Sequence, residues 1–215
     1  MVLGSCQLFP QSALPLFIFE PRYRKMFAEA LDGHRMFCLA MRRPELKTER
    51  PCEIAGLGLV RLAVNNPDGT SNLVLQGLTR VRIGKLVQSR PYRVHLIEPL
   101  RSESKQSLVV DALLERALDL VDAWLRMQPS LPEGVLVQLA GRVSPDEPAR
   151  VETCLEALRR LEDSETLADL VASLLLPNPL MRQAILQTLD VEERLRLLVH
   201  FLGAQITHAS KSKSR

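Results

Sequence analysis

The spacing of apolar residues changes from strand-like to helix-like midway along the chain. In the first hundred residues, short apolar runs alternate with polar turns, a pattern typical of β-strands. We predict strands in the runs 14–19, 36–41, 54–64, 73–76, 79–83 and 92–97. Apolar residues at helical spacing predict one helix over 21–33, with Pro21 in its first turn and Gly33 at its end. This half therefore indicates a curved or closed antiparallel sheet with one helix.

The second half has helical periodicity throughout. Apolar stripes predict helices over 110–125, 145–161, 167–175, 180–189 and 195–202. Pro177 and Pro179 separate two of them because proline ends a helix. We therefore expect an α+β protein in which a β-rich subdomain (1–101) precedes a C-terminal α-helical bundle (102–208). Residues 209–215 are predicted to be a disordered basic tail.

The two halves of the chain have net charges of opposite sign. The 215 residues have a formal net charge of +3. Residues 1–100 contain 14 Lys and Arg against 8 Asp and Glu, whereas residues 101–210 contain 11 against 17. An apolar fraction of 46% is ordinary for a globular protein. We do not take the alkaline pI as evidence for nucleic acid, because the two halves offset each other.

The cysteines and the N-terminus predict a cytoplasmic protein. The four cysteines lack C-x-x-C spacing, so we expect reduced thiols and neither a disulfide framework nor a zinc site. Lys and Arg are absent before Arg22, and Pro10 and Pro15 interrupt the apolar N-terminus, so no signal peptide is predicted. No apolar run approaches the roughly 20 residues of a membrane helix, and we expect no membrane partner.

The sequence contains no recognisable catalytic motif. The segment 77–85 has six residues between its glycines and lacks the hydroxyl that follows Lys in a phosphate-binding loop. Gly56 and Gly58 lie within a predicted strand, where glycine permits close packing. The histidines share no metal-ligand spacing. We therefore expect no metal, no cofactor and no catalytic residue, and a small-ligand enzyme would need convergent polar groups that the sequence does not display.

Two sets of residues are candidates for a binding surface. The first is a basic face on neighbouring strands, formed by Arg61, Arg80, Arg82, Lys85 and Arg93. It could track phosphates, but no aromatic residues interleave it for base stacking, and we favour a solvated face or one that docks on the acidic half. The second set is a peptide-binding ledge at the strand-to-helix corner, for which buried core packing of the rings is the favoured alternative; its members are Phe17, Phe19, Glu20, Arg22 and Tyr23.

Several segments resemble a known family in order along the chain. They are LFP at 8–10, LPLFIFEPRYR at 14–24, GLG at 56–58, PDG at 67–69, QGLTRV at 76–81, LADLVA at 167–172 and LQTLDVEERL at 186–195. Together they resemble the N-terminal substrate-binding domain of the ATP-dependent Lon protease. Glu20, Arg22 and Tyr23 match the motif, although Glu20 and Pro21 also suit a helix start. Residues 1–7 depart from the usual opening strand.

The resemblance implies a PUA-like β pseudo-barrel followed by a helical bundle. In Lon proteases this region helps recognise unfolded or damaged polypeptides, while separate ATPase and Ser/Lys peptidase domains perform the chemistry. Because 215 residues leave no room for those domains, we expect a stand-alone, ATP-independent bacterial module that is not an enzyme. Its expected partners are unfolded polypeptides or exposed apolar segments, or a protease or chaperone. The alternative is an RNA-binding or other nucleic-acid-binding protein that uses the basic β face.

Overall fold

The computed structural model describes residues 1–46, 48–103, 107–128, 151–161 and 163–213. The chain divides into two compact units, Met1–Arg101 and Ser102–Arg215. Unit 1 contains the strands and one helix, and unit 2 contains the other described helices. The protein is therefore α+β, as its two sequence periods predict. Among the described helices, none combines the length and the apolar character that crossing a membrane requires.

Six strands of unit 1 form one sheet. They are β1 (Val2–Leu3), β2 (Ala13–Ile18), β3 (Met36–Met41), β4 (Ile54–Asn65), β5 (Ser71–Gln88) and β6 (Val94–Leu100). Their order is β1-β3-β4-β5-β2, and β6 pairs with the later part of β5. All pairings are antiparallel except that of β1 with β3. The two predicted strands at 73–76 and 79–83 are thus one long strand, because the glycine between them continues the ladder.

The helix described in unit 1 covers the inner face of this sheet. Helix α1 (Pro21–Asp32) begins at Pro21 and ends before Gly33, as predicted. Its buried side chains, Tyr23, Met26 and Phe27, pack into a cluster with residues from five segments. The other buried members of that cluster are Leu8, Ile18, Phe37, Leu39, Val60, Leu73 and Leu75. The side chains that the helical period of 3.6 places on one side of α1 therefore pack against the alternate side chains on the inner face of the strands.

Glycine lets the segment around Leu8 cross the sheet closely. A Cβ on Gly56 would overlap the Leu8 carbonyl oxygen, and one on Gly77 would overlap the Phe9 carbonyl oxygen. Leu8 and Phe9 are both 0% exposed. This confirms that the glycines of β4 serve close packing, as predicted from sequence.

Unit 2 contains five described helices with conventional starts. They are α2 (Leu108–Arg126), α3 (Val151–Arg159), α4 (Ser164–Leu175), α5 (Pro179–Gln187) and α6 (Val191–Lys213). Side chains of Ser107, Asp163 and Asn178 cap α2, α4 and α5. The predicted start of α3 near 145 lies outside the described residues. Residues 209–213, which the sequence predicts to be part of a disordered tail, are the last residues of α6.

A buried arginine joins three segments of unit 2. Arg194 in α6 is 0% exposed and donates to Asp169 Oδ1 and Glu165 Oε1, both at 3.3 Å. It also donates to Ser102 Oγ at 2.8 Å and to the Thr188 carbonyl oxygen at 2.9 Å. The guanidinium thereby links α4, α6 and the first residue of the unit through charge-assisted hydrogen bonds.

Candidate functional site

Two phenylalanines at the end of β2 are exposed. Phe17 is 54% exposed and Phe19 is 59% exposed, and their rings stack with centroids 5.9 Å apart. The prediction that these rings are core is therefore wrong. Side chains alternate across a strand, and Leu14, Leu16 and Ile18 take the inner face, which turns Phe17 outward. Exposed stacked rings of this size are uncommon on a surface that contacts only water.

The strand register extends this surface across three strands. Phe17 lies opposite Asn72 of β5, which lies opposite Val64 of β4. Pro15 lies opposite Val74, which lies opposite Leu62. Because paired residues share a face of the sheet, these side chains project to one side. Leu62 is 66% exposed and Val64 62% exposed. We call the set Pro15, Phe17, Phe19, Leu62, Val64 and Val74 the apolar sheet face.

Strand β2 lies at one end of the sheet order and pairs with β5. Within the described part of the chain, its other edge pairs with no strand. Pro15 stands in the middle of β2 and has no N–H group to donate. Strand β2 therefore has one backbone N–H donor fewer beside the exposed rings. Apolar contact contributes more than backbone hydrogen bonding to what this edge can bind.

The remaining predicted ledge residues form a brace instead of a surface. Arg22 donates to Glu20 Oε2 at 2.9 Å and to the two carboxylate oxygens of Glu49 at 2.5 and 2.9 Å. These hydrogen bonds lower the pKa of Glu49 and raise that of Arg22. Tyr23 is 6% exposed, and its hydroxyl donates to the Val2 carbonyl oxygen at 2.9 Å. Burial raises the pKa of Tyr23.

This brace holds the opening strand in place. The Tyr23 hydroxyl also accepts a hydrogen bond from Val2 N at 3.2 Å, so one side chain satisfies both backbone groups of that residue. The Met1 amino group donates to the Cys38 carbonyl oxygen at 2.7 Å. Strand β1, which lies in the segment that departs from the usual opening strand of the family, thus pairs with β3 and is held there by α1.

A polar cleft lies beside the brace. It has a volume of about 540 Å³. We call it the arginine cleft; its walls are formed by Met1, Val2, Arg22, Tyr23, Met26, Glu49, Ser89, Arg90, Pro91, Tyr92 and Arg93. Arg22 is engaged by Glu49. Arg90 and Arg93 form no hydrogen bond or ion pair with residues that the structure describes, although the charge of Arg93 helps to lower the pKa of Glu49.

An apolar groove adjoins the arginine cleft. Its volume is about 460 Å³, and most of its lining residues are apolar. They include Met26, Ala30, Met36, Phe37, Cys38, Leu57, Ile83, Val94 and Ile97. Five residues line both the arginine cleft and the apolar groove: Met1, Val2, Met26, Tyr92 and Arg93. The Tyr92 hydroxyl donates to Glu29 Oε2, which raises the pKa of Tyr92 and ties the β5–β6 loop to α1.

The predicted basic face is not continuous. Arg80 is 1% exposed, so its assignment to an open face is wrong: it lies opposite Gly56, in a part of β5 where both faces are covered. Arg82 forms ion pairs with Glu53 at 3.4 Å and Glu98 at 3.0 Å. Arg61 donates to Gln76, Lys85 is exposed, and Arg93 lines the clefts.

Sequence reasoning missed Leu62, Val64, Arg90 and the groove. The run 54–64 is apolar on both faces and predicts an inner strand, yet its last residues are exposed. The available signal is their position next to the turn at 65–69, because strand ends project beyond the layer that covers them. Among the described residues, no group of three or more His, Cys, Asp or Glu side chains could hold a metal ion. The four cysteines, all of them in the described part of the chain, form no disulfide bond.

Comparison with solved structures defines the class of fold. The chain is similar to the N-terminal domain of the Mycobacterium avium complex Lon protease, with a TM-score of 0.69, 17% identity and coverage of 94% of this chain and 96% of that one. It is also similar to a Lon N-terminal domain protein from Xanthomonas campestris, with a TM-score of 0.57 and 17% identity over 94% of this chain and 95% of the other. The fold is therefore that of Lon N-terminal domains.

The family follows from the sequence. The profile of the ATP-dependent protease La (LON) substrate-binding domain matches residues 1–204, and the chain belongs to this family. It is 24% identical to the Lon protease of Dictyoglomus thermophilum and 29% identical to that of Roseiflexus castenholzii. Each match covers 93% of this chain but only 23% of the relative. The matched part is the substrate-binding domain and not the protease or ATPase domains.

Proposed function

We propose that this protein binds polypeptides that expose apolar segments and that it catalyses no reaction itself. The apolar sheet face is the observation that carries the proposal. Four of its side chains are more than half exposed. Three of them lie on β2 and β4, whose inner-face residues belong to the core, and Phe19 directly follows β2. A rigid apolar surface of this kind suits a partner whose own apolar residues are open to water, as those of an unfolded chain are.

The family supports the same proposal. Its profile describes the substrate-binding part of a protease, and the substrates of proteases are polypeptides. We extend this to the present chain as a proposal, together with a PUA-like description of unit 1 and a helical-bundle description of unit 2. Binding would rest on burial of the exposed rings, with a smaller contribution from the edge of β2, where Pro15 removes a donor.

Nucleic-acid binding is not proposed. It needs several exposed, uncommitted cations in one stripe. Of the five predicted residues, Arg80 is buried, Arg82 is paired with two carboxylates and Arg61 holds Gln76. The two cations that remain, Lys85 and Arg93, could neutralise too few phosphates to bind a nucleic acid with the steep salt dependence that such binding shows.

A binding experiment with paired variants tests the proposal. The ligand is a permanently unfolded protein, such as reduced and carboxymethylated α-lactalbumin, and binding is measured by fluorescence anisotropy. The double variant Phe17→Ser/Phe19→Ser should bind at least about ten-fold more weakly, because each half-exposed ring loses roughly 1 kcal/mol of burial. Both rings are exposed, so the fold should persist.

The matched control removes equivalent apolar area elsewhere in unit 1. Val87 is 62% exposed and Leu96 60% exposed, and neither belongs to the apolar sheet face or lines the clefts. The variant Val87→Ser/Leu96→Ser should bind like the parent protein. Equal weakening by the two double variants would reject the apolar sheet face as the site, and no binding by the parent protein would reject the proposed function.

A further inference from the structure

We propose that the arginine cleft and the apolar groove together bind the C-terminal end of a polypeptide whose last residues are apolar. The inference rests on the proposed function, since it specifies which part of a polypeptide is taken and at a surface other than the apolar sheet face. The two concave regions are contiguous, because five residues belong to both walls. One ligand can therefore occupy both.

The charges of the cleft select an anion. Arg22 is engaged by both oxygens of Glu49, which leaves the guanidinium groups of Arg90 and Arg93. Neither has a hydrogen-bond or ion-pair partner in the described part of the chain, and Arg93 is half-buried between the cleft and the groove. A guanidinium presents its N–H groups in a planar fork that matches a carboxylate. The cleft thus has an excess of planar donors over acceptors.

Glu49 favours a singly charged anion. Its carboxylate stays on the cleft wall, held by Arg22, and its lowered pKa keeps it ionised at neutral pH. A dianion such as phosphate would face this negative charge at close range, whereas a carboxylate adds a single charge against two cations. The charge balance of the cleft therefore fits a carboxylate.

The groove adds an apolar requirement next to the carboxylate. Arg93 lies on the groove wall beside Val94, and Ile83, Ile97 and Phe37 continue that wall. A volume of about 460 Å³ accommodates a few aliphatic side chains. The chain terminus is the one place where a polypeptide joins a backbone carboxylate to an apolar side chain on the same residue. A polypeptide ending in apolar residues therefore matches both regions at once.

Two forms of one peptide test the inference by isothermal titration calorimetry. The probe is a polar, neutral decapeptide that ends in Val-Leu-Leu, with either a free carboxylate or a C-terminal amide. The free acid should bind at least about ten-fold more tightly than the amide, the difference expected for loss of a bidentate guanidinium pair. Arg93→Gln and Arg90→Gln should each reduce this preference, and the double variant should abolish it.

Controls separate the source of the carboxylate and the effect of charge. Arg61→Gln removes an exposed arginine that lines neither region, and it should keep the preference. Decanoate supplies a carboxylate on a hydrocarbon without a peptide. If decanoate binds in an Arg93-dependent way and the free-acid peptide does not bind, the inference is overturned in favour of a small amphiphile.

The remaining outcomes also decide the matter. Equal binding of the acid and the amide overturns the inference, and so does binding of neither form. Neither result touches the proposed function, because that function is tested with an unfolded protein and with variants of Phe17 and Phe19. If the parent protein binds the peptide acid but not the unfolded protein, the terminal site is supported and the proposed function at the apolar sheet face is rejected.

Discussion

Arginine side chains occupy three environments in this protein, and the environment decides what each can do. Arg194 is fully buried and bonded to carboxylates, a hydroxyl and backbone oxygens. Arg22 is partly exposed and committed to Glu20 and Glu49. Arg90 and Arg93 line a cleft without such partners in the described residues. Of these four arginines, Arg90 and Arg93 have donors to spare for a ligand, although the sequence shows the same residue type at all four positions.

The buried arginine leads to a prediction about stability. Arg194→Ala should lower the free energy of unfolding by about 3–5 kcal/mol, because it leaves the carboxylate of Asp169, which is 1% exposed, without its cation. Urea denaturation followed by circular dichroism measures this change.

Its control is a neighbouring arginine on the same helix. Arg196 is 57% exposed and pairs with Glu192 four residues earlier. Arg196→Ala should cost less than about 1 kcal/mol, since exposed ion pairs contribute little. Similar losses in the two variants would contradict the role assigned to the buried cluster.

At the scale of elements, periodicity in the sequence was sufficient to identify most strands and helices. The helix over 21–33, the turn ending at Gly69 and the five described helices of unit 2 follow from local spacing and capping residues. The strand register and the identity of the edge strands cannot be predicted in this way, because they depend on which strands, distant in sequence, pair with each other. That long-range pairing is what places Leu62 and Val64 on the same face of the sheet as Pro15 and Phe17.

The crossing of the sheet by Leu8 and Phe9 gives a prediction for β4. Gly56→Ala should lower the free energy of unfolding by about 3 kcal/mol, because the new methyl group overlaps a backbone oxygen that has no rotamer to change. Thermal or urea denaturation would show the loss.

Gly203→Ala serves as the opposite case. Gly203 lies inside α6, and apart from its chain neighbours and the adjacent helix backbone no atom of the described residues lies within 4 Å of a Cβ placed there. Alanine favours a helix interior over glycine, so this variant should gain about 0.5–1 kcal/mol. A Gly56→Ala variant as stable as the parent would contradict the close approach of Leu8.

At the scale of the whole molecule, the family could be predicted from the sequence, whereas the candidate site could be predicted only in part. Phe17 and Phe19 were candidates, yet hydrophobicity alone favours a buried position for them. Arg80 was placed on an open face because strand alternation cannot reveal that both faces are covered. The clefts are assembled from α1, the β5–β6 loop and several strands, among them β1, β3, β4 and β6, and no local pattern brings those segments together.

The most direct test of polypeptide binding observes the apolar sheet face itself. Methyl resonances of Leu62, Val64 and Val74 can be followed by NMR while an unlabelled, permanently unfolded protein is added. Those of Val87 and Leu96 serve as an internal reference, because they are comparably exposed apolar residues outside that face. We expect the three face residues to shift or broaden and the reference residues to stay unchanged. Unchanged face resonances, with shifts confined to the reference residues or absent altogether, would contradict the account.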